Sequence, residues 1–587
     1  MTHACPRGGR WTRRAAGFTA ALVACAACAP ATPAPGAVAG PAVDTLAAAP
    51  RGAGALPPRT DLPLTRAERT GYAETSTYAD VIAFLDSLQA RGAAMHRLTM
   101  GRTSEGRDIP VVVASRPLVR SAAEARATGR PIVYVQGNIH GGEVEGKEAM
   151  QVLLRDLLLS SAPNVLDSVV LIAVPIYNAD GNEAWGPQER NRGSQNGPER
   201  VGQRANAQGL DLNRDYIKAE APETRATLEL VNEWDPHLFV DLHTTNGSYH
   251  GYALTYSPSL HPAAPLGDYT RDSILAPVRR KLRERHGFAT FDYGNFNDEF
   301  RRASLTDSVK TGWYSYDHRP RFGTNYYGLR NRISVLSEAY SHDPFDVRVA
   351  ATRAYVSELL SHVAENARSV TGAVRAADAR AADARAAGKG IALRATLPDS
   401  APAADIVVEV LVSTGDSTRT EPGVPRGIRR TGRYNTLRIP AFTRFEPTLE
   451  GDVPAAFALA PRDTAAVRLL RMHGIRVDRL ERPWTGEVQA FVVDSVERAA
   501  REFQGHNELL LHGGAWRAGR RELPAGSFIV PGAQPLGRLA LVLLDPLTDD
   551  GLVTWNHFDD RLRKGGEFPV LRVEGEVPGH RGGRPDL

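Results

Sequence analysis

At 587 residues the chain is too long for one compact core, and its 42% hydrophobic and 24% charged side chains are ordinary for a soluble globular protein. Of its 71 basic side chains against 67 acidic ones, Arg7, Arg10, Arg13 and Arg14 precede residue 25 with no acid among them; the remainder is neutral, which leaves no electrostatic case for nucleic acid or an anionic membrane. Cys5, Cys25 and Cys28 are the only cysteines, so nothing beyond residue 28 can form a disulfide or a thiolate metal site.

Residues 1–24 read as an export signal: basic "RGGRWTRR" precedes the apolar, small-residue run "AAGFTAALVACAAC", too short for a stable membrane anchor. Within it "LVAC" (22–25) looks like a bacterial lipoprotein cleavage box, which would put a lipid on Cys25. Ordinary cleavage with free secretion is the alternative. Either way the expected location is the periplasm, cell envelope or extracellular space. Residues 25–65, rich in Ala, Pro and Gly, cannot bury a core and read as a flexible tether.

A globular region follows over residues 66–370. Helical spacing in "YADVIAFLDSLQAR" gives way to "PIVYVQGNI" (131–139), a buried-strand run, and then to the amphipathic helix "EVEGKEAMQVLLRDLLLSS". "SVVLIAVPIYN" (168–178), "HLFVDLH" (237–243) and "RISVLSEAY" (332–340) are further buried strands, with the helix "PETRATLELVNEWD" among them. Near-continuous apolar strands alternating with helices predict an α/β fold, a mixed twisted sheet covered by helices on both faces. Residues 371–390, with their repeated Arg, Ala and Asp, suit a solvated helical connector. Residues 391–587 change texture to short apolar runs such as "EVQAFVVDSV" and "GSFIVPGAQPLGRLALVLLDP", punctuated by Gly and Pro. They predict a smaller β-rich accessory domain whose scattered histidines form no catalytic group.

Chemistry gathers where the first buried strand ends. His140 is followed by two glycines and, three places on, by Glu143. Gly141 and Gly142 argue against a helix through the pair, so the pattern predicts a strand end, a tight turn and a first helical turn, at the carboxyl edge where open α/β sheets place their sites. A metal site needs a third ligand. His243 ends the strand "LFVDLH", and a histidine buried there without a partner would be costly. His250, in the loop "GSYHGY", is the rival; a strand places a ligand more precisely than a loop, which favours His243.

His-x-x-Glu, then "IYNADG" (176–181), "GLDLNRDY" (209–216), "VDLHTT" and "VLSEAY", in that order, resemble the zinc carboxypeptidase family, the carboxypeptidase A-like metallopeptidases, over roughly residues 70–345. "GRTSEGRDI" (101–109) is similar to the family segment ahead of the first ligand. The resemblance implies one zinc ion held by His140, Glu143 and His243, with Asp211 orienting a ligand histidine. It implies that Asn213 and Arg214 grip the free C-terminal carboxylate of a peptide, that Arg204 steadies the scissile carbonyl, and that Glu338 is the general base. Tyr316, 22 positions before Glu338, matches the tyrosine that caps the substrate, with Tyr314 a near rival.

The sequence departs from the family at two places. An arginine often sits inside the first ligand motif, and Gly141-Gly142 leaves none. "DHRPRFGTNYYGLRNR" (317–332) is rich in arginine where the side-chain pocket should lie, which leaves the preferred terminal residue open. The expected activity is zinc-dependent removal of the C-terminal residue of peptides. The alternatives are a zinc amide hydrolase acting on cell-wall peptides or acyl-amino acids, and an inactive binding lipoprotein. The partners expected are a peptide with a free C-terminus, no nucleic acid, and a membrane only through a lipid on Cys25.

Overall fold

The computed structural model describes residues 61–296, 310–383, 388–416, 418, 424 and 426–575. The export segment, Cys25 and the tether up to residue 60 lie outside them. Among the described residues no helix is long and apolar enough to cross a membrane.

Eight strands form the central sheet: β1 (His96–Arg102), β2 (Asp108–Ala114), β3 (Ile132–Gly137), β4 (Val170–Val174), β5 (Leu238–Thr244), β6 (Leu254–Pro258), β7 (Thr290–Asp292) and β8 (Ile333–Ala339). Their spatial order is β1-β2-β4-β3-β5-β8-β6-β7. The four central strands β4, β3, β5 and β8 run parallel, and every residue in them is buried. That is why they read as unbroken apolar runs: with both faces covered, no position is left for solvent.

Alternate residues of each strand feed opposite cores. Val133, Val135, Leu238 and Val240 pack under helices α1 (Tyr78–Ala90), α2 (Glu145–Leu158), α4 (Ala276–His286) and α5 (Phe345–Glu365). Tyr134, Ile172, Val174 and Phe239 point the other way, toward α3 (Pro222–Trp234) and toward Phe457, Leu459 and Leu539 of the C-terminal region. One hydrophobic core therefore runs from the catalytic sheet into residues far beyond 390. The connector is docked as well: helix α6 (Ala367–Ala382) buries Val370, Val374, Ala377 and Ala381 at helical spacing, and its Asp378 takes the Arg332 guanidinium at 2.9 Å.

The C-terminal region is β-rich. A long hairpin, β9 (Ala403–Ser413) and β10 (Ile428–Phe442), precedes a six-stranded sheet built from short segments between Ala456 and Val573. Residues Gly537–Leu544 are a correction to the strand texture expected there: they form a fully buried helix. A run buried on all sides carries no periodicity, so its apolar residues alone do not separate helix from strand. Hairpin strand β10 pairs in parallel with Trp313–Tyr314 of the catalytic region, setting Trp313 beside Ala441 and Tyr314 beside Phe442.

Candidate active site

The strand ends converge as the apolar runs predict. Asn138, just past β3, adopts a left-handed backbone (φ 64), which Asn tolerates better than most residues. Its side-chain amide donates to the carbonyls of His140, Gly141 and Glu143, so one residue shapes the whole ligand turn. Gly141 is obligatory for a different reason. A Cβ there would stand 2.2 Å from the backbone of Gly181, which packs against the turn. Helix α2 begins only at Glu145, leaving Glu143 in the turn itself, its N–H bonded to His140 O at 2.9 Å.

Three donors meet there. His140 Nδ1 lies 2.8 Å from Glu143 Oε1 and His243 Nδ1 lies 2.9 Å from Glu143 Oε2. One ligand atom from each residue falls within 4.8 Å of the others. The far nitrogens are held by carboxylates: His140 Nε2 by Asp211 at 3.1 Å and His243 Nε2 by Asp241 at 2.9 Å. With a metal bound, those carboxylates would hold the proton on each outer nitrogen and leave the inner nitrogen's lone pair for the ion, the arrangement that holds histidine as a zinc ligand. Burial disfavours charge on His243, yet Asp241 and Glu143 push its pKa well above the ordinary value. Burial likewise opposes ionisation of Glu143, but His140 and Arg192 hold its carboxyl well below the usual range. So enclosed a group of acids and lone pairs calls for a cation. Two nitrogens and a carboxylate fit zinc.

Strand register explains the supporting cast. Asp241 is two residues before His243 on β5 and so shares its face. Gln136 sits opposite Asp241 on β3 and donates to it at 3.1 Å. On the other side of β5, Glu338 of β8 is paired directly with His243. Burial, the largest influence, pushes the Glu338 carboxyl up to about 8, with Glu143 adding to it and His243 opposing. Its Oε2 has no hydrogen-bond partner among the described residues. His250 is elsewhere: burial pushes it down to about 3, its ring lies 4.3 Å from that of Tyr340, and its backbone bridges Val408 of the hairpin. We expect His243→Ala to lose zinc and His250→Ala to keep it, as read by metal analysis of the purified proteins; the reverse pattern would overturn the ligand set.

The cleft beside these donors is lined by Arg204, Asn213, Arg214, Asn246, Tyr293, Tyr316, Phe322, Thr324, Leu336 and Glu338. Arg204 gives its Nε to Asp211 Oδ2 at 2.8 Å and holds its NH1 3.6 Å from Glu143. Asn213 is fixed by the Asp211 carboxylate, which accepts from its N–H at 3.0 Å, and its own Oδ1 accepts from Gly323 N–H. The Arg214 guanidinium carbon sits over Phe322, 3.9 Å from the ring centre, and its nearest carboxylate among the described residues, Asp211, is 4.0 Å away. Burial, the largest influence, pulls its pKa down, Asp211 and Asp317 oppose that, and Arg204 and Arg321 add to it. Among the described residues, a guanidinium so placed has only that distant carboxylate, shared with Arg204 and His140, as its ion-pair partner. Tyr316 lines the cleft, whereas Tyr314 stacks on Phe442 at 4.6 Å, which settles which tyrosine faces the site.

The arginine-rich stretch has another explanation. Arg319 is held by Asp317, Arg321 by Asp550 and Glu508, Arg330 by His473 O and Asn232, and Arg332 by Asp235 and Asp378. Arg319 turns back on its own loop and the other three turn to neighbouring elements; none of the four lines the cleft. Sequence reasoning missed Asn138, Asp241 and Arg192, whose NH1 is 3.0 Å from Glu143. Arg192 also accounts for Gly142, because a Cβ there would meet its Cγ at 2.7 Å.

Residues 81–327 match the sequence profile of the zinc carboxypeptidase family, peptidase family M14. That stretch, which holds the three donors, is similar to the family's catalytic region. Among curated relatives, Carboxypeptidase 2 of Trichophyton rubrum is 23% identical over 484 residues, covering 81% of this chain and 82% of the relative. Human Carboxypeptidase Z is 32% identical over 149 residues, covering 24% of this chain and 21% of its own length. Among solved structures, a metallo-carboxypeptidase from Burkholderia cenocepacia aligns at a TM-score of 0.37 and 17% identity, over 49% of this chain and 70% of that one. A metallo-carboxypeptidase from Pseudomonas aeruginosa, in complex with (2-guanidinoethylmercapto)succinic acid, aligns at 0.35 and 18%, over 50% and 70%.

Proposed function

We propose that this protein is a zinc carboxypeptidase that removes the C-terminal residue of peptides, with His140, Glu143 and His243 holding a single zinc ion. The observation that carries this reading is Arg214, a largely buried cation without a close carboxylate, beside the metal donors and next to Asn213. A free peptide C-terminus is a planar anion that a guanidinium grips through two parallel hydrogen bonds. Anchoring it there fixes the scissile bond one residue in from the end.

Zinc supplies a Lewis acid for the scissile carbonyl and lowers the pKa of water. The chain supplies the rest. Glu338 takes the proton of the attacking water and hands it to the leaving amine nitrogen, a task suited to a desolvated carboxylate that lines the cleft. Arg204 donates to the oxygen on which negative charge develops, while Asp211 steadies both Arg204 and His140. Tyr316 and Phe322 wall off water around the terminal residue. One peptide offered with a free or an amidated C-terminus tests the reading. The free acid should be cleaved much faster, and equal rates would point to an internal amidase.

The site works outside the cytoplasm in this proposal, tethered through a lipid on Cys25; the support is the basic and apolar start of the chain and its "LVAC" box. Cys25→Ala should move the protein from the membrane fraction to the soluble one. Unchanged fractionation would remove the lipid anchor from the proposal.

A further inference from the structure

The C-terminal region reaches the metal site through the turn at residues 503–506. Phe503 and His506 exchange backbone hydrogen bonds, Phe503 N–H to His506 O at 2.7 Å and His506 N–H to Phe503 O at 3.0 Å. The two residues between them, Gln504 (φ 53) and Gly505 (φ 83), are both left-handed, a two-residue turn that favours Asn or Gly at each position. Glycine would fit Gln504's backbone better, so the side chain kept there has a use. Its Oε1 accepts the backbone N–H of Asp211 at 2.8 Å, across nearly 300 residues of sequence.

We infer that Gln504 is a positioning residue for the metal centre, acting through Asp211. That aspartate has one small, buried backbone segment and four tasks. Its Oδ1 meets His140 Nε2 at 3.1 Å and Asn213 N–H at 3.0 Å, while its Oδ2 meets Arg204 Nε at 2.8 Å and stands 4.0 Å from Arg214. A shift in its main chain therefore moves a zinc ligand and three substrate-facing groups together. Gln504 pins that main chain from outside, and the turn carrying Gln504 is itself pinned. His506 spans Asn556 Oδ1 at 2.8 Å and Glu220 Oε1 at 2.9 Å, and Arg321 lies over the Phe503 ring while bonding Asp550 and Glu508. The accessory sheet thus sets the angle of His140 through a chain of two hydrogen bonds, Gln504 to Asp211 and Asp211 to His140.

The inference rests on the zinc site proposed above, and its test includes a readout that needs no substrate. Gln504→Gly keeps the turn and removes only the acceptor; Gln504→Glu keeps an acceptor; His506→Ala loosens the turn without touching Asp211. In the full-length protein, zinc affinity measured by competition with a chelator should fall about three- to tenfold in Gln504→Gly, since removing partners one shell out costs on the order of 10- to 100-fold and this residue is one step further away. On a peptide substrate kcat should fall by a similar factor with KM within about twofold. Gln504→Glu should restore both, Gln504→Gly should melt no lower than the parent, and His506→Ala, which leaves the acceptor in place, should lose less zinc affinity than Gln504→Gly. Parental zinc affinity and kcat in Gln504→Gly would overturn the inference. So would an equal loss in His506→Ala, which would make the contact one of docking alone. Were the parent to bind zinc yet cleave no peptide, the function proposed above would fail while the affinity series still decided this one.

Discussion

Glu338→Gln is expected to fold and hold zinc like the parent while peptide turnover drops by roughly two to four powers of ten, the usual worth of a general base. The expectation comes from position: Glu338 lies across from His243 on the neighbouring strand and lines the cleft, with one oxygen lacking a hydrogen-bond partner among the described residues. Burial raises its carboxyl from 4.5 to about 8 without a metal, and a cation held by His243 and Glu143 draws it lower. The base works ionised, so the parent's kcat/KM should climb with pH along an acid arm below 8, and that arm should vanish in the glutamine variant. Stability follows with the opposite sign. A carboxyl raised on folding contributes stability below about pH 4.5 that is lost as pH rises toward 8, because the folded state holds the proton longer. Gln does not titrate, so metal-free Glu338→Gln should gain on the metal-free parent between pH 5 and pH 8 in thermal melts. Near-parental turnover would move the base to another residue.

The second large effect belongs to Arg214. Replacing it with Ala should cost about 2–5 kcal/mol in kcat/KM on free-acid peptides, the range for truncating one partner of a buried charge pair. On amidated peptides the variant should lose little, since there is no carboxylate for the guanidinium to grip. Zinc content should not change, because Arg214 touches no ligand directly; it reaches the site through Asn213 O at 2.8 Å and the Phe322 ring. Equal losses on both peptides would assign Arg214 a structural role and leave the terminal carboxylate unexplained.

The residues that could be read from the sequence share a physical signature. His140, His243 and Glu338 each end a run of apolar residues, and a polar group at such a place stands out because the run itself demands burial. Asp211, Asn213 and Arg214 came only through resemblance, since "LDLNRD" out of context is a solvated turn. Asp241 could have been found from residues alone: it stands two before His243 in a buried strand, on the same face, and an acid there needs a reason. Gln504 could not. Nothing local marks it, and its contact with Asp211 exists only once the C-terminal sheet has docked. The arginines of 317–332 misled for a related reason: their anions, Asp550, Glu508 and Asp378 among them, lie far along the chain, so a stretch of domain-joining ion pairs looked like a charged pocket.

Tyr316 occupies the place of a residue that swings over the substrate in the resembling family, yet here its neighbourhood is stitched. Ser315, its immediate neighbour, donates its N–H to Phe442 O at 2.9 Å, continuing the parallel pairing of Trp313–Tyr314 with the hairpin. From the other side of the site, Tyr340 gives its hydroxyl to Glu409 at 2.7 Å, and Arg430 of the same hairpin meets that carboxylate. A segment tied into a sheet has already lost most of its conformational freedom on folding, so little is left to lose when a peptide arrives. The hairpin makes this a preorganised cleft: the entropy of ordering a lid is spent once, at synthesis, and not again with each turnover.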